Sequence, residues 1–140
     1  MFYYEARKKQ VNYLIDKILD YINSLNIDSN TIGFGIIIIH YLLIIFIATY
    51  LVFGKNNKYY YISLSIFLFS ILINLYFNCC PVLKIERKLI NEPKWAGLYE
   101  ILRFFNIEPN TNNIKISFWS LCIILLTVVS FKKYLNTIFS

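Results

Sequence analysis

The chain has 140 residues, 58% of them hydrophobic and 16% charged, with fourteen Lys and Arg against eight Asp and Glu for a net charge of +6. A water-soluble globule of that composition would carry a large sticky apolar surface, so the balance argues for lipid as the solvent. The positive charge does not argue for nucleic acid, because the basic residues are scattered along the flanks of apolar runs and form no dense patch.

Residues 1–30 precede the first apolar run. Within them, Val11, Leu14, Ile15, Ile18, Leu19, Ile22 and Leu25 recur at steps of three and four, which predicts an amphipathic helix over 5–25. Arg7, Lys8, Lys9, Asp16, Lys17 and Asp20 occupy its other side, a mixed pattern that suits a bilayer surface, a partner protein or packing on the chain's own spans.

Three runs then predict transmembrane helices at 31–53, 59–77 and 114–131, none containing an acidic residue or Arg. At the helical rise they reach roughly 34, 28 and 27 Å, against a hydrocarbon core of about 30 Å. Continuous apolar runs without alternation leave no room for a membrane barrel, so the fold class is all-α: an integral membrane protein with three transmembrane helices and interfacial amphipathic helices. The five-residue polar link 54–58 makes the first two spans antiparallel neighbours.

After the second span, Pro81 can open a new helix because the first turn does not need its missing amide proton. Val82, Ile85 and Leu89 fall on one side of 81–90 and Lys84, Arg87 and Lys88 largely elsewhere, predicting a short interfacial helix that Glu92-Pro93 stops. A second interfacial helix is predicted over 94–105, with Trp95, Leu98, Ile101, Leu102 and Phe105 as its apolar stripe. Residues 31–131 thus form the membrane domain, and 132–140, opened by Lys132 and Lys133, a short basic tail.

Asn26-Ile27-Asp28-Ser29-Asn30-Thr31 is echoed by Asn106-Ile107-Glu108-Pro109-Asn110-Thr111, each copy following an amphipathic segment and preceding a span. Their Asn and Thr side chains suit the capping of exposed helix amides. Two intervening spans put both copies on one side, which also holds Arg7, Lys8, Lys9, Lys17, Lys84, Arg87, Lys88, Lys94, Arg103 and Lys115. By the positive-inside rule that side, with the N-terminus, is cytosolic.

The chemistry-bearing residues are few. His40, the single histidine, lies inside the first span without an acidic residue in any span, which favours a neutral ring bonded to another helix, near Asn74, over a proton path. Glu86, Glu92, Glu100 and Glu108 sit among Lys and Arg on surface segments and read as solvated charge. Cys79, Cys80 and Cys122 have no zinc or disulfide spacing, and the adjacent pair at a span boundary is a candidate for acylation or simply two small apolar residues. No catalytic, metal or cofactor residue is assigned, no small-molecule substrate is expected, and the chain reads as a non-enzyme. Candidate membrane-interface or partner-binding residues are Arg7, Lys8, Lys9, Ile15, Leu19, Lys84, Arg87, Lys88 and Trp95.

The run Asn78-Cys79-Cys80-Pro81-Val82-Leu83-Lys84-Ile85-Glu86-Arg87-Lys88-Leu89, a cysteine leading through an apolar residue to a glutamate after a hydrophobic hairpin, resembles small multi-span membrane proteins of large DNA viruses that infect protists. The resemblance covers roughly 59–131. It implies residence in a virion's internal membrane or a host-derived membrane, a structural or assembly role beneath the capsid, and capsid or scaffold proteins as partners beside the bilayer. Two other readings stand next to it: an accessory subunit of an organellar respiratory or transport complex, in the mitochondrial inner membrane, and a small oligomeric channel, for which Thr31, His40, Thr49, Ser63, Ser70 and Asn74 supply only a sparse polar stripe.

Overall fold

The computed structural model describes residues 2–138. In chain order its elements are α1 (Phe2–Ser24), α2 (Ser29–Phe53), α3 (Lys58–Phe77), α4 (Pro81–Leu89), a 3₁₀ helix (Gly97–Phe105) and α5 (Thr111–Ile138). Among the described residues all of these elements are helical, and three segments are long and apolar enough to cross a membrane: α2, α3 and Thr111–Tyr134 of α5. α5 continues as helix through most of the segment expected as a tail at 132–140, whose last two residues lie outside the described ones, as does Met1 of the 1–30 segment.

Caps set where these helices begin. The Asp28 carboxylate accepts from the Thr31 amide at 2.8 Å and the Thr31 hydroxyl at 3.0 Å, so α2 opens at Ser29, ahead of the first apolar residue. The Asn57 side-chain oxygen takes the Tyr59 and Tyr60 amides at 3.0 and 3.2 Å for α3, and that of Asn110 takes the Asn113 amide at 2.9 Å for α5. In the echoed sequences the capping residue differs: it is the third residue in the first copy and the fifth in the second.

Asparagine follows the ends of α1, α3, α4 and the 3₁₀ helix. Asn26, Asn78, Asn91 and Asn106 all adopt left-handed φ, between 52° and 56°, a conformation that only Gly and, less readily, Asn and Asp visit as a matter of course. After α4, the Glu92 amide returns to the Arg87 carbonyl at 3.1 Å; after the 3₁₀ helix, the Ile107 amide returns to Leu102 at 3.0 Å. Both are the six-to-one closure of a Schellman stop. α4 therefore ends at Leu89, before the Glu92-Pro93 step expected to stop it. The second interfacial helix, expected over 94–105, is shorter and of the tighter 3₁₀ form, because Gly97 enters it at φ +61° and Trp95 is held in a turn by its amide bond to the Glu92 carbonyl at 3.0 Å.

Two compact units divide the chain, residues 1–42 with 69–97, and residues 43–68 with 98–140. In the first, α1 lies against α4 and buries Val11, Ile15 and Ile22, each on the order of 2 kcal/mol of apolar transfer. Lys84 Nζ donates to Asn12 Oδ1 at 3.5 Å and Lys88 Nζ to Asp16 Oδ1 at 2.6 Å. Both pairs are 72 residues apart, so one turn of α1 steps with one turn of α4 and the two helices run parallel. Gly33 of α2 makes room for the end of α4, since a β-carbon there would stand 2.7 Å from Ile90 Cγ2 and 3.0 Å from Leu89 Cβ.

In the second unit, Lys132 of α5 donates to the Gly54 carbonyl and, at 3.4 Å, to that of Leu51, with its ammonium 4.9 Å from the Tyr60 ring centroid. These carbonyls are the unpaired acceptors at the end of α2, where a cation also meets the negative end of the helix dipole. Leu51 and Tyr60 are buried around it.

Candidate functional site

The polar centre of the first unit is Glu86. It sits on α4 between Val82 and Leu89 of the apolar face, and it is fully buried. A buried carboxylate is tolerated only when hydrogen-bonded, and both oxygens are engaged: Oε1 stands 2.6 Å from His40 Nδ1, and Oε2 accepts from Trp95 Nε1–H at 3.0 Å. The Arg87 side chain donates its Nε–H to the Trp95 carbonyl, so adjacent residues of α4 hold that tryptophan by its ring and its backbone. Burial pushes the Arg87 guanidinium below its usual value, and the neighbouring Glu86 opposes the shift. Among the described residues no buried side-chain nitrogen or oxygen lacks a partner.

Each member is placed by a local device. Cys80 takes the N-cap position of α4 with Pro81 as its first helical residue, which presents Glu86 one and a half turns later. Gly97, at positive φ, passes so close to Glu86 that a β-carbon there would be 3.8 Å from Oε2 and 3.2 Å from Leu83 Cδ1. An ionised carboxylate only accepts, so beside Glu86 Oε1 the His40 ring carries a proton on Nδ1. The result is an imidazole and an indole held on the two oxygens of one buried carboxylate.

Two expectations are corrected here. Glu86 is not solvated surface charge, because it lies on the inner face of α4 and not among the lysines that flank it. His40 pairs with Glu86 and not with the region of Asn74, whose amide donates instead to the Ser70 carbonyl of its own helix at 2.9 Å. The signal for the pair was present: a single glutamate inside the Val82–Ile85–Leu89 stripe, and a single histidine inside a span, each needing a partner.

The other candidate residues fall around this centre. Arg7 donates to the Tyr76 carbonyl at 3.2 Å with its guanidinium 5.4 Å from the Tyr76 ring centroid, closing the end of α3. Lys8 and Lys9 are exposed on α1, Ile15 is buried, and Leu19 is half-buried. Lys84 and Lys88 join α4 to α1, and Trp95 is half-buried with its indole on Glu86. Cys79 and Cys80 are half-buried free thiols, and Cys122 is a buried one. Among the described residues no three His, Cys, Asp or Glu side chains converge as metal ligands would. Two open surface grooves are present, one along α5 from Ile123 to Tyr134 and one at the end of α2 around Phe46 and Phe53.

The chain matches no protein-family model, no curated protein and no solved structure.

Proposed function

We propose that this chain is a structural integral membrane protein, anchored by α2, α3 and α5 and presenting the α1–α4 cap to the proteins of an assembly on the cytosolic face. The observation that carries the reading is the bareness of the spans. Only 17%, 11% and 6% of their most apolar windows are buried, and Phe34, Ile38, Ile39, Leu42, Phe69, Leu72, Ile123 and Ile124 stand open. In water such a surface would aggregate; in lipid it needs no further cover.

The cap supports the second half of the reading. α1 buries Val11, Ile15 and Ile22 but leaves a parallel stripe of Leu14, Ile18 and Tyr21, continued by Leu25, exposed, spaced by four, three and four residues. A stripe of this spacing beside Lys8, Lys9 and Lys17 suits the headgroup boundary, where apolar side chains sink and ammonium groups stay wet. Ten of the fourteen basic residues fall on the cap's side of the predicted topology, which supports a cytosolic N-terminus. A capsid or scaffold protein as the docking partner follows from the sequence resemblance alone.

Extraction of membranes at alkaline pH tests the anchor, and proximity crosslinking from residues 91–110 followed by mass spectrometry tests the tether. Retention in the pellet with a reproducible protein neighbour supports the reading. Release into the supernatant removes it.

A further inference from the structure

We propose that the outer face of α1 docks on anionic phospholipid, with Leu14 and Ile18 sunk among the acyl chains and Lys17, set between Tyr13 and Tyr21, taking the headgroup phosphate. The inference rests on the membrane reading and deepens it by naming the lipid class and the residues that select it.

Arg7 shows which way this face is turned. It stands two turns before Leu14 on the same side of the helix, and it donates to the Tyr76 carbonyl at 3.2 Å, so this side of α1 is directed towards the end of α3. The other end of α1 leads through residues 25–28 into the first turn of α2, which belongs to the same compact unit as the end of α3. Under the membrane reading the end of one span and the start of the other lie at one leaflet. The roughly 26 Å of helix from Arg7 to Ser24 is then held at that boundary by both of its ends. Leu14 and Ile18 stand exposed along it.

Charge complementarity selects the occupant. Tyr13, Lys17 and Tyr21 follow at steps of four along one edge of the stripe, all of them exposed, and the Lys17 ammonium is 4.9 Å from the Tyr13 ring centroid. Among the described residues no carboxylate pairs with Lys17. Glu5, Asp16 and Asp20 project from the side of α1 away from Leu14 and Ile18, and Asp16 is taken by Lys88. An ammonium with a phenol one turn to either side, beside apolar side chains, supplies a charge and two hydroxyl donors for a phosphate and a bed for acyl chains. Lipid of net negative charge is favoured, because a lysine at such a surface gains attraction that a zwitterionic headgroup does not offer. The proteins of an assembly would meet the opposite side of the cap.

The test uses the purified full chain in phosphatidylcholine nanodiscs doped with a photoactivatable phosphatidylglycerol, or with the matching phosphatidylcholine, each carrying its diazirine at the glycerol end of an acyl chain. Peptide mass spectrometry maps the adducts. The expected result is labelling of Leu14, Ile18 and Tyr21 at least about 5-fold stronger with the anionic probe, with most of that preference lost in Lys17→Gln. Lys55→Gln, which removes the same charge beyond the far end of α2, is expected to leave the preference unchanged. Equal labelling of α1 by the two probes, a preference that survives Lys17→Gln or falls equally in Lys55→Gln, or adducts on the spans with none on α1 overturns this inference alone. So does labelling of α1 that declines as the protein-to-lipid ratio is raised, the sign of a second copy on this face. Adducts on neither α1 nor the exposed Ile38 and Ile39 of α2 overturn it together with the membrane reading.

Discussion

His40 and Glu86, 46 residues apart, meet at 2.6 Å through Nδ1 and Oε1, and that contact ties the chain leaving α3 back onto α2. The carboxylate is fully buried and the histidine side chain 22% exposed, so solvent screens the pair little. Pairs of this kind cost desolvation as they form, and their loss is felt mainly through the partner left behind.

Glu86→Ala is therefore expected to destabilise the chain by about 3–5 kcal/mol, because it strands the imidazole and the Trp95 indole together. Replacing both members by Leu should recover most of that loss, since neither charge then remains unpaired. Denaturation of the detergent-solubilised protein reads both. An effect of Glu86→Ala no larger than that of Asp20→Ala, at an exposed position of α1, would contradict the burial of Glu86.

Gly33 and Gly35 look alike in sequence and differ in surroundings. A methyl at Gly33 meets Ile90 and Leu89 at 2.7 and 3.0 Å, whereas a methyl at Gly35 meets nothing within 4 Å. Gly33→Ala should cost about 1–3 kcal/mol by pushing the end of α4 away, and Gly35→Ala should cost nothing. Faster hydrogen exchange in α4 for the first variant only is the expected signature.

The contrast between these glycines marks how far the sequence could be read. The three long apolar helices were legible because a run without charge has one stable solution in lipid, and the α1 stripe was legible because its period is local. Which part of that stripe packs was not, because Ile15 and Ile18 differ only in what α4 does. The asparagine stops at 26, 78, 91 and 106 were not legible, since Asn, unlike Gly, does not announce a left-handed turn. Glu86 was misplaced for a related reason: its neighbours Arg87 and Lys88 suggested a wet surface, and only its register with Val82 and Leu89 pointed inward.

Ile15→Glu and Ile18→Glu separate the two halves of the α1 face. Ile15 is 1% exposed and Ile18 43% exposed. A carboxylate at position 15 has no partner in the packed interface, so α1 should leave α4 at a cost above about 3 kcal/mol, with the Lys88–Asp16 bridge lost alongside. A carboxylate at position 18 should leave α4 protected from exchange and instead make α1 accessible to protease in vesicles. Equal loss of α4 protection in both variants would contradict the division of the stripe.

Lys132 and Lys55 belong to the same side of the predicted topology, and removing either changes the flanking charge by the same amount. Only Lys132 reaches the Leu51 and Gly54 carbonyls and the face of Tyr60. Loss of a cation from a helix end costs up to about 1 kcal/mol when exposed, and loss of a ring contact about another 0.5–1 kcal/mol. Lys132→Met should therefore destabilise by about 1–2 kcal/mol and speed exchange of the amides from Gly54 to Asn57, while Lys55→Met should do neither. Identical behaviour of the two variants would mean that Lys132 acts through bulk charge and not as the cap of α2.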